Sequence, residues 1–172
     1  VALTDHGVLY GAFEFYKAAK DAGIKPIIGC EVYVAPGSRF DRAPGSENKP
    51  FHMILLAKDY EGYKNLMYLV SKAHLEGFYY KPRMDYGLMK AHSKGIIALS
   101  GCLAGEMARS ILESDEKKQL EVIEKYQDIF GKENFYLELQ DHPQIEDQKI
   151  LNDRLIELSR MTGVPLVATQ DS

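Results

Sequence analysis

The 172-residue sequence contains no apolar run near the roughly 18 residues that would suggest a membrane span. Its first residues, Val1-Ala2-Leu3-Thr4, are not a signal peptide. They carry no initiator Met and read as a strand already under way, so a chain cut from something longer is expected. Cysteine is scarce: Cys30 and Cys102 are too few for a disulfide scaffold. One bridge can form, but free thiols in a reducing cytoplasm are the preferred reading. A basic surplus is missing too, with 21 Lys and Arg against 25 Asp and Glu and a formal charge of −4. That balance argues against a stand-alone DNA-binding module. It leaves open a nuclease pocket in which bound metal cations meet the phosphates. Internal repeats, low-complexity tracts, HExxH and CxxC pairs are all absent.

What remains is ordinary globular material, 45% hydrophobic and 27% charged, long enough to bury one core. Short β-branched runs alternate with amphipathic helices, which is the pattern of an α/β domain. Strands are predicted at 1–4, 27–35, 52–57, 96–100, 135–140 and 166–169. A helix over 9–22 would carry Phe13, Tyr16 and Ala19 on one face and stop at Gly23. Asp59 is the predicted cap of a second helix, with Tyr63, Leu66, Met67, Val70 and Ala73 at helical spacing and Gly77 as its end. Further helices are expected over 85–92, 105–112 and 115–130, the last capped by Ser114 and stopped by Gly131. Another begins at Pro143 and runs to about Met161. The Pro- and Gly-punctuated segment 36–50 is too irregular for a crossover helix, so the strands flanking it should form an antiparallel hairpin. The aromatic and basic stretch 77–83 reads as a surface loop that packs or touches nucleic acid.

Functional groups in α/β barrels gather at the C-terminal ends of strands. Asp5 and His6 follow the first strand, Cys102 follows 96–100, Asp141 and His142 follow 135–140, and Asp171 follows the last. Glu31 lies inside an otherwise apolar strand, where a buried carboxylate needs partners. His52 opens the neighbouring strand, and a suitable register would set it beside Glu31. Imidazole, carboxylate and thiolate groups are ligands for zinc, and the first two also serve manganese or iron. Each residue has a plainer reading. A lone His after a strand is most often a surface or hydrogen-bonding residue, Cys102 is by default a small buried hydrophobe, and Asp171 could be a loop acid or a cap. His74 and His92 sit on predicted helices and read as structural or solvated.

The strings Leu3-Thr4-Asp5-His6-Gly7-Val8-Leu9-Tyr10-Gly11-Ala12 and Gly29-Cys30-Glu31-Val32-Tyr33-Val34-Ala35 change the weighting. With His52-Met53-Ile54-Leu55-Leu56-Ala57, the 77–83 stretch, Leu99-Ser100-Gly101-Cys102-Leu103-Ala104-Gly105-Glu106, Phe135 to Gln140 and Val167 to Ser172, they are spread along nearly the whole chain. Together they resemble the PHP domain of the bacterial DNA polymerase III alpha family. Gln170 stands where that family usually has Asn.

The resemblance implies a distorted seven-stranded (β/α) barrel, here a single domain segment over 1–172 and incomplete at both ends. It implies up to three zinc or manganese ions in the intact domain. It marks His6, Glu31, His52, Cys102 and Asp171 as metal ligands, with Asp5, Glu138 and His142 as supporting or pocket residues. The family's His-x-His motif belongs upstream of Val1 and a further His belongs after Ser172. About half of the metal shell is therefore expected here, with weak or no activity in isolation. The implied function is metal-dependent phosphodiester hydrolysis, as a 3′-to-5′ proofreading exonuclease, within a cytoplasmic DNA-directed DNA polymerase of DNA replication. Its partners would be DNA through the parent polymerase, other polymerase domains and replisome subunits, without a membrane. The rival is a non-catalytic module that braces the polymerase and docks a separate exonuclease. A free-standing phosphatase of the histidinol phosphatase kind is a weaker one.

Overall fold

A computed structural model describes residues 1–42 and 49–170 of the chain. Among the described residues are eight strands and six α-helices, a mixed α/β composition as the alternation of patterns implies. The chain divides into two compact units, Val1–Ile97 and Ala98–Ser172. Both cysteines are free thiols, and no helix among the described residues is long and apolar enough to cross a membrane.

The first unit is organised around β2 (Ile27–Val34), whose sequence IIGCEVYV is apolar except for Glu31. Its residues from Gly29 onward are buried, as expected of a strand covered on both faces. β3 (Phe51–Ala57) runs antiparallel along one edge, pairing Gly29 with Leu56 through Val34 with Phe51. The opposite edge is shared by two strands in succession. β1 (Ala2–Leu3) pairs parallel with Ile27 and Ile28, and an isolated parallel bridge joins His6 to Glu31 in the same register. Beyond that point β5 (Lys81–Met84) takes over, parallel, opposite Tyr33 and Val34.

Helix α1 (Ala12–Asp21) ends at Gly23, whose φ of +70° supplies the expected left-handed stop. Its buried residues are Ala12 and Ala19, whereas Phe13 and Tyr16 are 78% and 50% exposed. The stripe predicted as one apolar face is thus split, because the helix meets the sheet through its small residues. Helix α2 (Tyr60–Leu75) follows the prediction more closely, although Met67 of the expected core stripe is exposed. Asp59 caps it by accepting the Gly62 N–H at 2.8 Å, and Leu66, Leu69, Val70 and Ala73 are buried. Helix α3 (Tyr86–Ala91) is capped by Asp85.

The predicted surface loop 77–83 is instead a tight hairpin of β4 (Phe78–Tyr79) and β5. Arg83 within it is 1% exposed, which a basic loop residue should not be. Its guanidinium donates to the carbonyls of Gly77, Arg39 and Asp41 at 3.1, 3.2 and 2.6 Å, so its buried charge is met by backbone acceptors.

The second unit is a parallel array. β6 (Ile96–Leu99), whose last two residues fall in this unit, pairs with β7 (Phe135–Gln140), and β7 pairs with β8 (Leu166–Thr169). Helices α4 (Glu106–Leu112) and α5 (Glu116–Phe130) connect the first pair, and α6 (Glu146–Thr162) the second. Leu151, Leu155 and Leu158 form the buried stripe of α6, facing a core that includes Phe135 and Leu137. Two boundaries differ from prediction. The cap of α5 is Asp115, which accepts the Lys118 N–H at 2.9 Å, while Ser114 sits at φ +57° and closes the preceding turn. Helix α6 starts at Glu146, since residues 143–145 are taken up by a turn in which Ile145 N–H donates to the His142 carbonyl.

Candidate metal centre

The edge of β2 shared by β1 and β5 fixes where this centre lies. The chain leaving β1 must turn away at Gly7, because β5 occupies the edge from Tyr33 onward. Gly7 donates its N–H to the Glu31 carbonyl at 2.8 Å and adopts φ +70°. A Cβ there would stand 2.9 Å from Pro82 Cγ and 3.1 Å from Tyr33 Cε2, so only glycine fits this turn. From α2, His74 Nε2 lies 2.8 Å from the Gly7 carbonyl and must donate to it, holding the turn from the far side.

This places His6 next to Glu31. The imidazole Nε2 of His6 is 3.2 Å from Glu31 Oε2, and Nδ1 of His52 is 2.6 Å from Glu31 Oε1. Two ring nitrogens therefore converge on the two oxygens of one carboxylate that is only 8% exposed. The rings stand nearly perpendicular, at 78°, with centroids 6.5 Å apart. Glu31 and His52 meet diagonally, since the register sets His52 opposite Tyr33 and Ile54 opposite Glu31. Tyr33 shares the Glu31 face of β2 and packs edge-on against His52 at 5.0 Å. Sequence reasoning did not single it out, although its i+2 spacing from Glu31 was the available signal.

The other predicted residues have definite surroundings. Asp5 Oδ2 accepts the Gly11 N–H at 3.1 Å and organises the turn leading to α1. Cys30 points into the core, where burial pushes its thiol up to about 12; it is a packing residue with no thiolate at neutral pH. In the second unit, Cys102 lies half-buried in the turn after β6, its carbonyl accepting the Gly105 N–H at 2.8 Å. Glu138, 2% exposed, is a hub for that unit. It accepts the N–H of Gly101 at 3.0 Å, the Thr169 hydroxyl at 2.6 Å and the Gln140 amide at 3.3 Å. It thereby ties the turn that carries Cys102 to the end of β8. His142 occupies the turn after β7, and Asp171 lies outside the described residues.

Comparison with known proteins bears on what this arrangement is. The PHP domain family matches residues 1–142. The chain belongs to the PHP domain family. It is also 48% identical to the DNA polymerase III subunit alpha of Treponema pallidum, over 99% of this chain and 15% of that protein. The subunit of the same name from Borreliella burgdorferi is 49% identical, and that from Aquifex aeolicus 46%, each over 100% of this chain. The PHP chain thus spans about 15% of the length of these relatives.

The chemistry of this PHP site fits a metal ion. Its donors are two imidazole nitrogens and a carboxylate, the set that suits zinc, manganese and iron. A carboxylate buried in an apolar strand with imidazole neighbours would be favoured by a divalent cation among them. The His6 side chain is 60% exposed, so the centre is open to solvent on that side.

Proposed function

We propose that this chain contributes part of a metal-dependent phosphodiester hydrolase centre to a DNA polymerase III alpha subunit. The observation that carries the reading is the convergence of His6 and His52 on both oxygens of buried Glu31. In this reading these three residues hold zinc or manganese, and the family pattern adds Cys102 and Asp171 to the ligand set. A bound divalent ion of this kind lowers the pKa of water and clamps the oxygens of a phosphoester during displacement. Glu31 anchors the site because its backbone is locked in β2 by hydrogen bonds with Asp5 and Gly7. Tyr33 and the Gly7 turn hold the two imidazoles in orientation.

The substrate on this reading is a DNA 3′ end, which makes the activity a proofreading exonuclease within a cytoplasmic DNA-directed DNA polymerase of DNA replication. DNA, the other polymerase domains and further replisome subunits are then its partners. The test is Glu31→Gln and His52→Ala in the full-length polypeptide. Manganese-dependent exonuclease activity should fall more than about a hundredfold, with a parallel drop in bound metal. Undiminished hydrolysis in both variants would sink the proposal. Bound metal and a chelator-sensitive melting temperature without any wild-type nuclease activity would instead support the bracing module.

A further inference from the structure

The hairpin of β4 and β5 reaches the centre by an unbroken run of contacts. Pro82 lies against Gly7, the residue after His6, and the Lys81 Nζ sits 5.2 Å above the Tyr33 ring, which in turn packs on His52. At the hairpin tip, Tyr80 adopts φ +59°, a conformation that turns normally reserve for Gly or Asn. It is also 83% exposed. A large aromatic at such a position gains neither backbone ease nor burial, so packing does not account for it. Its ring meets Tyr79 edge-on at 4.7 Å, and Tyr79 is backed by the buried Arg83 guanidinium at 5.2 Å. The platform is therefore backed from beneath and exposed above. Among the described residues Lys81 has no carboxylate partner, so its ammonium is available to an external anion.

We propose that Tyr80 and Lys81 form the substrate-binding rim of the centre and select single-stranded polynucleotide over small phosphate esters. Tyr80 stacks on a base, and Lys81 contacts the backbone phosphate of the strand end presented to His6, Glu31 and His52. Stacking on an exposed aromatic beside a cation is the general means by which proteins hold single strands without reading sequence. Neither residue is a ligand, so both are positioning residues that act on affinity. This assignment rests on the reading of the centre as a phosphodiester hydrolase.

The full-length protein carrying this chain, supplied with manganese, is assayed on a labelled oligothymidylate and on bis(p-nitrophenyl) phosphate. Tyr80→Ala and Lys81→Ala should each raise KM for the oligonucleotide about fivefold or more. For both, kcat should stay within about twofold, and KM for the small diester should not change. Lys81→Ala should also flatten the slope of log KM against log salt by about 0.7, the contribution of one phosphate contact on a single strand. Lys81→Arg should restore the wild-type slope. A second readout needs no metal. In chelator, an oligothymidylate ending in 4-thiothymidine should photo-crosslink to the peptide containing Tyr79 to Lys81, with loss of the adduct in Tyr80→Ala. Unchanged KM and salt slope in Lys81→Ala, or crosslinks only elsewhere, overturns the assignment while hydrolysis of the small diester leaves the hydrolase reading intact. Crosslinking at the hairpin in a protein that hydrolyses neither substrate has the opposite meaning: the rim stands and the hydrolase reading fails.

Discussion

Two clusters in the first unit pair their carboxylates in opposite ways. Around Arg39, Asp85 and Glu76 are both met by a guanidinium, at 3.0 and 2.7 Å, and Asp85 also accepts the N–H groups of Arg39 and Leu88. Around Glu31, the carboxylate faces imidazoles instead. A guanidinium is permanently charged and saturates its partners, which makes the first cluster a clasp between the segment after β2, α2 and α3. Imidazole nitrogens, unlike a guanidinium, are metal-ligand groups. The two places differ in the identity of the counter-group, permanently charged in the first and imidazole in the second.

The largest effect that would test this contrast comes from Arg83, which supports the clasp from below. Arg83→Met should remove the guanidinium from the carbonyls of Gly77, Arg39 and Asp41, leaving Gly77 only the Arg83 backbone N–H, and lower local stability by about 3 kcal/mol. Native-state hydrogen exchange at the hairpin amides measures this, and metal binding at Glu31 should persist in the variant.

A smaller effect is expected from Asp85→Asn, which keeps the helix cap and removes the charge. Burial alone would raise the Asp85 carboxyl, but the N–H groups of Arg39 and Leu88 and the Arg39 guanidinium outweigh it and hold it below its ordinary 3.8. Its folded value is below its unfolded one, so its contribution is complete above the ordinary value and disappears as pH falls through the folded value. The gap in melting temperature between wild type and Asp85→Asn should be constant from neutral pH down to the ordinary carboxylate range and close below it. A gap that widens with acid would contradict the clasp.

The smallest effect is assigned to Glu31 itself. In chelator-treated protein, Glu31→Gln should change stability by less than about 1 kcal/mol, because the amide still offers an oxygen to His52 and relieves the burial of a charge. A large destabilisation in urea titrations would mean that the His–Glu cluster is structural after all.

Much of this was legible in the chain. The hairpin across 36–50 followed from the lack of helical pattern there, and the Asp59 cap and the buried Leu66, Val70 and Ala73 of α2 followed from residue type and spacing, while Met67 did not. Glu31 stood out as the one charge in β2. The errors share a cause. Phe13 and Tyr16 have the spacing of a buried face, and Arg83 the look of a solvated cation, because local pattern records polarity but not what lies opposite. The same holds for Glu31 and His52, whose diagonal contact depends on a register that the irregular segment between the strands does not reveal.

By itself the sequence determined the element types outside 77–83, most of their limits and which side chains were capable of binding a metal, since these depend on side-chain chemistry and on periods of two and 3.6 residues. Tertiary structure alone decided that His6 and His52 reach the same carboxylate. It did so because β1 and β5 share one edge of β2 while β3 occupies the other, and a pairing between distant strands is settled by the whole sheet rather than by any local stretch of chain.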